Sequence, residues 1–169
     1  MTTRKATVDD IPAIQRLYRE LDKHHVDLLP DVFRALSEDA RPDSVIREWI
    51  EGADADYLLA EVDGNIVGFL NIRRAGNPEY PMFQPREFAL IESAVVEQAQ
   101  RGHGVGSTLF DAAIAWAKEY GLAFVQTTVW SANHRTREFY LKKGFKAITE
   151  KLELNLRDRT AEQTQAPDA

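Results

Sequence analysis

Cysteine is absent from the 169 residues. Its absence excludes disulfides, thiolate metal sites and a cysteine nucleophile, and it suits a reducing compartment. No apolar run is long enough to span a membrane, and no basic start followed by an apolar stretch marks a signal peptide, so a cytoplasmic protein is expected. Positive charge is in deficit: the formal net charge is −6. That argues against duplex nucleic acid and mildly favours cationic partners. Convincing metal-ligand spacing is also lacking. His24 and His25 lie near Asp22 and Asp27, but neighbouring helical residues point about 100° apart and rarely share a metal. No metal site is expected. What remains is an ordinary globular composition, 44% hydrophobic and 28% charged, in a chain of one domain's length with enough residues to bury a core.

The chain is organised around Ala89 to Gly121. Ala89 to Val96 is apolar apart from Glu92 and Ser93 and reads as a buried strand. Arg101 to Ser107, RGHGVGS, sets Gly102, Gly104 and Gly106 in a tight turn. Val105, Leu109, Ala113, Trp116 and Tyr120 then recur at helical spacing, with Gly121 where a helix ends. Glycines ahead of a helix let the backbone approach a ligand. The unpartnered first-turn N–H groups and the helix dipole favour a phosphate there. A flexible turn between strand and helix is the plainer alternative. Two nucleotide motifs fit poorly. A Walker A loop needs Lys after its last glycine, and here Ser107 follows Gly106. A dinucleotide fingerprint is G-x-G-x-x-G directly after the strand, whereas this loop is G-x-G-x-G with Glu97 to Gln100 intervening.

Arg101-Gly102-His103-Gly104-Val105-Gly106 instead resembles the acetyl-coenzyme A loop of the GNAT-type N-acetyltransferases, Arg/Gln-x-x-Gly-x-Gly/Ala. The resemblance extends upstream to the acid-bearing strand Ile91-Glu92-Ser93-Ala94-Val95-Val96. Downstream it takes in Asn133, Thr136, Phe139, Tyr140 and Gly144-Phe145 in the family's order. Thr136 replaces a commoner Ala. The likeness is specific from Ala89 to Phe145 and follows element order from Thr3 to Leu156.

The other elements are read from pattern. Thr3 to Thr7 suits an edge strand, and Thr7 with Asp10 resembles a capping box ahead of Pro12. Ile11, Ile14, Leu17, Tyr18 and Leu21 form a helical core stripe. Asp22 to Pro42 is less regular. Asp43 or Ser44 caps a second helix with Val45, Ile46, Trp49 and Ile50 inward. Asp63-Gly64 joins the strands Asp56–Val62 and Ile66–Arg73 as a hairpin, and Gly68 marks a bulge or a close approach. Ala75 to Glu87, with three prolines, is a loop. Ala123 to Trp130 is a strand, Asn133 caps a helix closed by Gly144, and Lys146 to Leu156 is a last strand. This order gives a mixed α/β domain over residues 1–156, with 157–169 a polar, disordered tail. The resemblance implies the GNAT fold: a mostly antiparallel sheet of six or seven strands, splayed at its middle and flanked by about four helices.

The resemblance also implies the chemistry: transfer of acetyl from acetyl-coenzyme A to a primary amine. Glu92 is the candidate base, through burial in an apolar strand that would raise its proton affinity. Exposure on one sheet face, or pairing with Arg86 or Lys151, is the alternative. Tyr140 is the candidate acid for the leaving thiolate, with Phe139 as its core anchor. The Val95 amide or a neighbour is the candidate oxyanion donor, and Val95 and Val96 line the pantetheine. Arg101, Gly102, His103, Gly104, Val105, Gly106 and Ser107 hold the pyrophosphate, while Asn133 and Thr136 touch the coenzyme. Arg135 or Arg137 is a further candidate for the adenosine phosphates. Asp22–Pro42 and the 75–87 loop are the expected specificity walls. Asp22, Asp27 and Asp31 tilt the acceptor toward a small cationic amine. A homodimer is expected from the family. The rival readings are an acyl-coenzyme A sensor on the same fold, and acetylation of a protein lysine or N-terminus.

Overall fold

The computed structural model describes residues 1–37 and 39–156. The expected disordered tail, 157–169, lies outside the described residues. Two compact units are distinguished, Met1–Asn133 and a second beginning at His134.

The first unit is a sheet with helices on both faces. Five strands, β1 (Thr2–Lys5), β2 (Ala55–Val62), β3 (Asn65–Gly76), β4 (Glu87–Val96) and β5 (Val125–Thr127), lie in the order β1-β2-β3-β4-β5. All neighbours are antiparallel except β4 and β5, which are parallel. Thr7 and Asp10 form the capping box at the entry to α1 (Ile11–Leu28), with the Thr7 amide donating to Asp10 Oδ2 at 2.8 Å. The helix continues well past Leu21, so His24 and His25 are helical. Ile14, Leu17 and Tyr18 of α1 and Ile46 of α2 (Asp43–Glu51) pack with Tyr57, Leu59, Phe69 and Val95 of the sheet. Pro42, one residue earlier than expected, is the N-cap of α2, and Val45 stays exposed.

The opposite face carries α3 (Val105–Glu119). It seats closely because Gly68 has no side chain: a Cβ there would stand 2.7 Å from the Val95 carbonyl oxygen and 3.3 Å from Leu109 Cδ1. Gly68 is thus a close approach, and it pairs with Ala60 beside the β2–β3 bulge. Asp63 and Gly64 turn the hairpin with φ of 50° and 78°, the left-handed pair such a turn requires.

The sheet has five strands among the described residues, where six or seven were expected. Among the described residues, 146–156 form no ladder and the unit that begins at His134 holds no strand, so the expected last strand, Lys146 to Leu156, is not among them. β5 is also shorter than the expected Ala123–Trp130. Its ladder with β4 ends at Ile91↔Thr127. In the second unit, α4 (His134–Lys142) ends at Gly144, which has a φ of 92°.

Candidate active site

Two irregularities in β4 build the site. The first is a bulge. Asn71 of β3 faces Ser93, but the next residue, Ile72, faces Ile91, so Glu92 is the extra residue. The second is the parting of β4 from β5, which pair only over Ala89–Ile91 and Val125–Thr127. Beyond that point β3 is the one ladder partner of β4 among the described residues.

The bulge decides which amides face the opening. The Glu97 N–H donates to the Val67 carbonyl at 2.8 Å. Continuing that register back along the antiparallel ladder makes Phe69–Val95 a hydrogen-bonded pair and leaves Gly68–Val96 and Leu70–Ala94 as the alternating pairs. The Val95 amide therefore points at β3. Those of Ala94 and Val96 point the other way, to the side on which β5 has parted. Of the Val95 amide and its neighbours, it is the neighbours that face the side of the parting. The Val95 side chain is buried in the core.

Val96 leads into the glycine loop. Arg101 folds back so that its Nε donates to the Val96 carbonyl at 3.0 Å, which holds the guanidinium at the mouth of the opening. Gly102 and Gly104 have φ of 86° and 87°, a region costly for any residue with a Cβ, and the space where each Cβ would stand is open. Gly104 is the N-cap of α3, and the Thr108 N–H to Gly104 carbonyl bond, at 3.0 Å, is the first of the helix. The amides of Val105, Gly106 and Ser107 precede it and are the helix's unpaired first-turn donors. His103 is exposed on the turn. Backbone donors, a helix N-terminus and open space above glycines fit a pyrophosphate.

Glu92 is not buried. Arg73 Nε donates to its Oε1 at 2.8 Å, and both side chains are more than a third exposed. Arg86, one of the expected partners, lies instead over the Phe124 ring. The bulge pushes Glu92 out of the alternation, which is why an acid in an apolar strand escapes the core.

On the α1 side of the bulge lies a polar group that sequence reading missed. The Tyr18 and Tyr57 hydroxyls are 3.0 Å apart, and burial pushes both phenols up. Asn71, 3% exposed, stands beside Tyr57, and its Oδ1 has no hydrogen-bond partner among the described residues. The available signal was Asn71 itself, a lone amide inside the apolar run Val67–Ile72. Farther out, Phe33 stacks on His25 at 4.8 Å and meets Trp130 edge-on at 5.2 Å. The Asp22–Pro42 segment thus reaches the residues after β5. Burial, then the neighbouring His24 charge, lowers the His25 pKa. The acids expected to attract a cation are partly neutralised: Asp22 pairs with Arg41 and Asp27 with Lys23.

In the second unit Tyr140 is 6% exposed, with the rings of Phe139 and Phe145 at 5.3 and 5.0 Å. Phe139, the expected anchor, is the more exposed of the pair. Asn133 immediately precedes α4 and Thr136 lies in its first turn, both half-buried.

The sequence signature of the Acetyltransferase (GNAT) family matches residues 15–145. The chain is 26% identical over 147 residues to an uncharacterized N-acetyltransferase of Archaeoglobus fulgidus, covering 86% of this chain and 93% of that one. The crystal structure of a tetramutant of the BH1408 protein from Bacillus halodurans superposes with a TM-score of 0.85 at 26% identity, covering 92% of this chain and 99% of that one. An aminoglycoside acetyltransferase from an uncultured soil metagenomic sample shares the fold at 16% identity, with a TM-score of 0.67, covering 91% and 93% of the two chains.

Proposed function

Because the chain belongs to the Acetyltransferase (GNAT) family, we propose that it transfers the acetyl group of acetyl-coenzyme A to a primary amine, with a small cationic amine as acceptor. The observation that carries this reading is the continuity of three features: a β4 edge released from β5, an arginine at its end, and a left-handed glycine turn opening α3. The Val105–Ser107 amides receive the pyrophosphate and Arg101 stands by it. The amide-bearing edge of Ala94 and Val96 takes the pantetheine arm as an added strand. Asn133 and Thr136 are assigned to the coenzyme from the family pattern.

In the transfer, the amine nitrogen forms a bond to the acetyl carbon and the carbon–sulfur bond breaks. The carbonyl oxygen gains negative charge between these events. A β4 amide fixed by the bulge is suited to stabilise it, a contribution of several kcal/mol in a water-excluded site. The amine must lose a proton. Glu92, at the bulge, receives it directly or through water, with Arg73 holding the carboxylate in place. The departing thiolate takes a proton from the Tyr140 phenol. A phenol of pKa about 10 is a weaker acid than a thiol of about 8.5, so between unperturbed groups this transfer is uphill by about 1.5 pKa units; it is drawn forward by departure of the coenzyme A thiol, and the phenolate regains its proton from solvent. Correct placement of donor and acceptor supplies much of the remaining rate.

The acceptor preference rests on the aromatic residues His25, Phe33 and Trp130 and on the net charge, since Asp22 and Asp27 have cations of their own. An aminoglycoside acetyltransferase sharing the fold supports a small amino-bearing acceptor. A cytoplasmic homodimer belongs to the same proposal.

The test is thiol release from acetyl-coenzyme A with a panel of polyamines, aminoglycosides, amino acids and peptides. Release with a small cationic amine is expected. Preference for a peptide N-terminus or lysine would move the acceptor to protein, and tight coenzyme binding without release to any amine would favour the sensor reading.

A further inference from the structure

The Arg41 guanidinium lies 4.1 Å from the centre of the Tyr18 ring, and its Nη1 bonds both Asp22 oxygens, at 2.6 and 2.5 Å. Two groups that favour positive charge, an aromatic face and a carboxylate, thus converge on one point, and the chain fills it with its own cation. The other end of Tyr18 enters a buried polar group. The Tyr18 hydroxyl meets that of Tyr57, and Asn71, beside Tyr57, carries the buried Oδ1 that no described residue satisfies. An unpartnered buried acceptor costs stability unless something donates to it. Asn71 faces Ser93, one step from the Glu92 bulge. The polar group therefore backs onto the part of β4 where transfer is proposed to occur.

Arg41 is attached so that its head can leave without its backbone. Gln15 Nε2 donates to the Arg41 carbonyl at 3.3 Å and to Asp43 Oδ1 at 2.8 Å, which anchors the main chain at the start of α2. Residues 33–37 and 39–42 form no regular element. The Arg41 and Asp22 side chains are 29% and 31% exposed, so water and solutes reach the pair.

We propose that Arg41 is a built-in occupant of a cation subsite formed by the Tyr18 ring and Asp22, and that the non-reacting ammonium of a diamine acceptor displaces it. This rests on the amine acetyltransferase reading and narrows its substrate class to amines with a second positive charge. The displaced guanidinium turns to solvent, and Asp22 pairs with the incoming ammonium against the Tyr18 ring. A part-exposed ion pair and a cation–π contact are each modest, so the occupant weakens acceptor binding by about tenfold and does not prevent it.

Calorimetric titration with putrescine, on the full-length protein without acetyl-coenzyme A, tests the subsite apart from catalysis. Arg41→Met, which keeps the apolar stem, is expected to bind putrescine about tenfold tighter than the wild type, and adding Asp22→Asn to remove that gain. Arg41→Gln repeats the measurement with a polar neutral head. Butylamine, lacking the second charge, is expected to show less than half of the change. Unchanged or weaker putrescine binding in both Arg41 variants, or no binding in any of the proteins, overturns the proposal. So does tighter binding of glycine by the wild type than by Arg41→Met, which would make Arg41 a carboxylate clamp. If putrescine binds as expected but neither it nor any other amine of the panel draws thiol from acetyl-coenzyme A, the acetyltransferase reading falls and the subsite stands.

Discussion

Glu92 and Tyr140 are read differently once their surroundings are known. Glu92 sits at the surface against Arg73, so the proposed base depends on position at a bulge and not on burial. Tyr140 is buried among aromatic rings, and a phenol so placed has a fixed direction. Tyr140→Phe removes only the hydroxyl. Turnover is expected to fall by roughly 10²–10⁴-fold, the range covered by general acid–base catalysis, while acetyl-coenzyme A still binds. Steady-state kinetics with direct coenzyme titration separates the two quantities, and unchanged turnover would remove Tyr140 from the mechanism.

At the scale of elements, the decisive fit is α3 against β3. Gly68 permits it, and no flexible side chain end is available to yield, because the nearest obstacle to a Cβ is the Val95 carbonyl at 2.7 Å. Gly68→Ala should destabilise the protein by about 1–3 kcal/mol through overpacking. Urea unfolding measures this directly. Since α3 carries the glycine loop, the same variant should also weaken acetyl-coenzyme A binding. A variant as stable as the wild type would show that the helix can shift outward at no cost. The strand elements themselves follow from pattern: the Asp63-Gly64 hairpin and the Gly121 and Gly144 helix ends all adopt the left-handed backbone that their sequence positions suggest.

For the molecule as a whole, one buried acid ties distant segments together. Asp10 accepts two bonds from Arg4, at 2.7 and 2.8 Å, and the amide and hydroxyl of Thr7. Arg4 also reaches Glu61 of β2. The Arg4 guanidinium first, with the Thr7 donors helping against burial, lowers the Asp10 pKa from 3.8 to about 2. A lowered carboxylate pKa means stability that is complete above about pH 4 and lost as pH falls toward 2. With Arg4 partly exposed, the contribution is on the order of 1 kcal/mol. Between those pH values the wild type should lose that much more stability than Asp10→Asn, as read from denaturant midpoints at each pH. Parallel curves for the two proteins would remove the pair from the acid response.

The sequence by itself determined the order of elements from the first strand to α4, the capping box at Thr7, the hairpin and the glycine turn that opens α3. These depend on neighbours within a few residues: a period, a cap, a φ sign. The same local logic carried the family resemblance from Ala89 to Phe145. Only the tertiary structure decided the rest. That Glu92 is extruded, that Ala94 and Val96 turn their amides to the opening while Val95 does not, and that β5 is cut short are matters of register between strands far apart in the chain. The pairing of Asp22 with Arg41 and of Tyr18 with Tyr57 brings together residues 19 and 39 positions apart. A charge count along the chain registers Asp22 as a bare acid. Folding gives it a cation, Arg41.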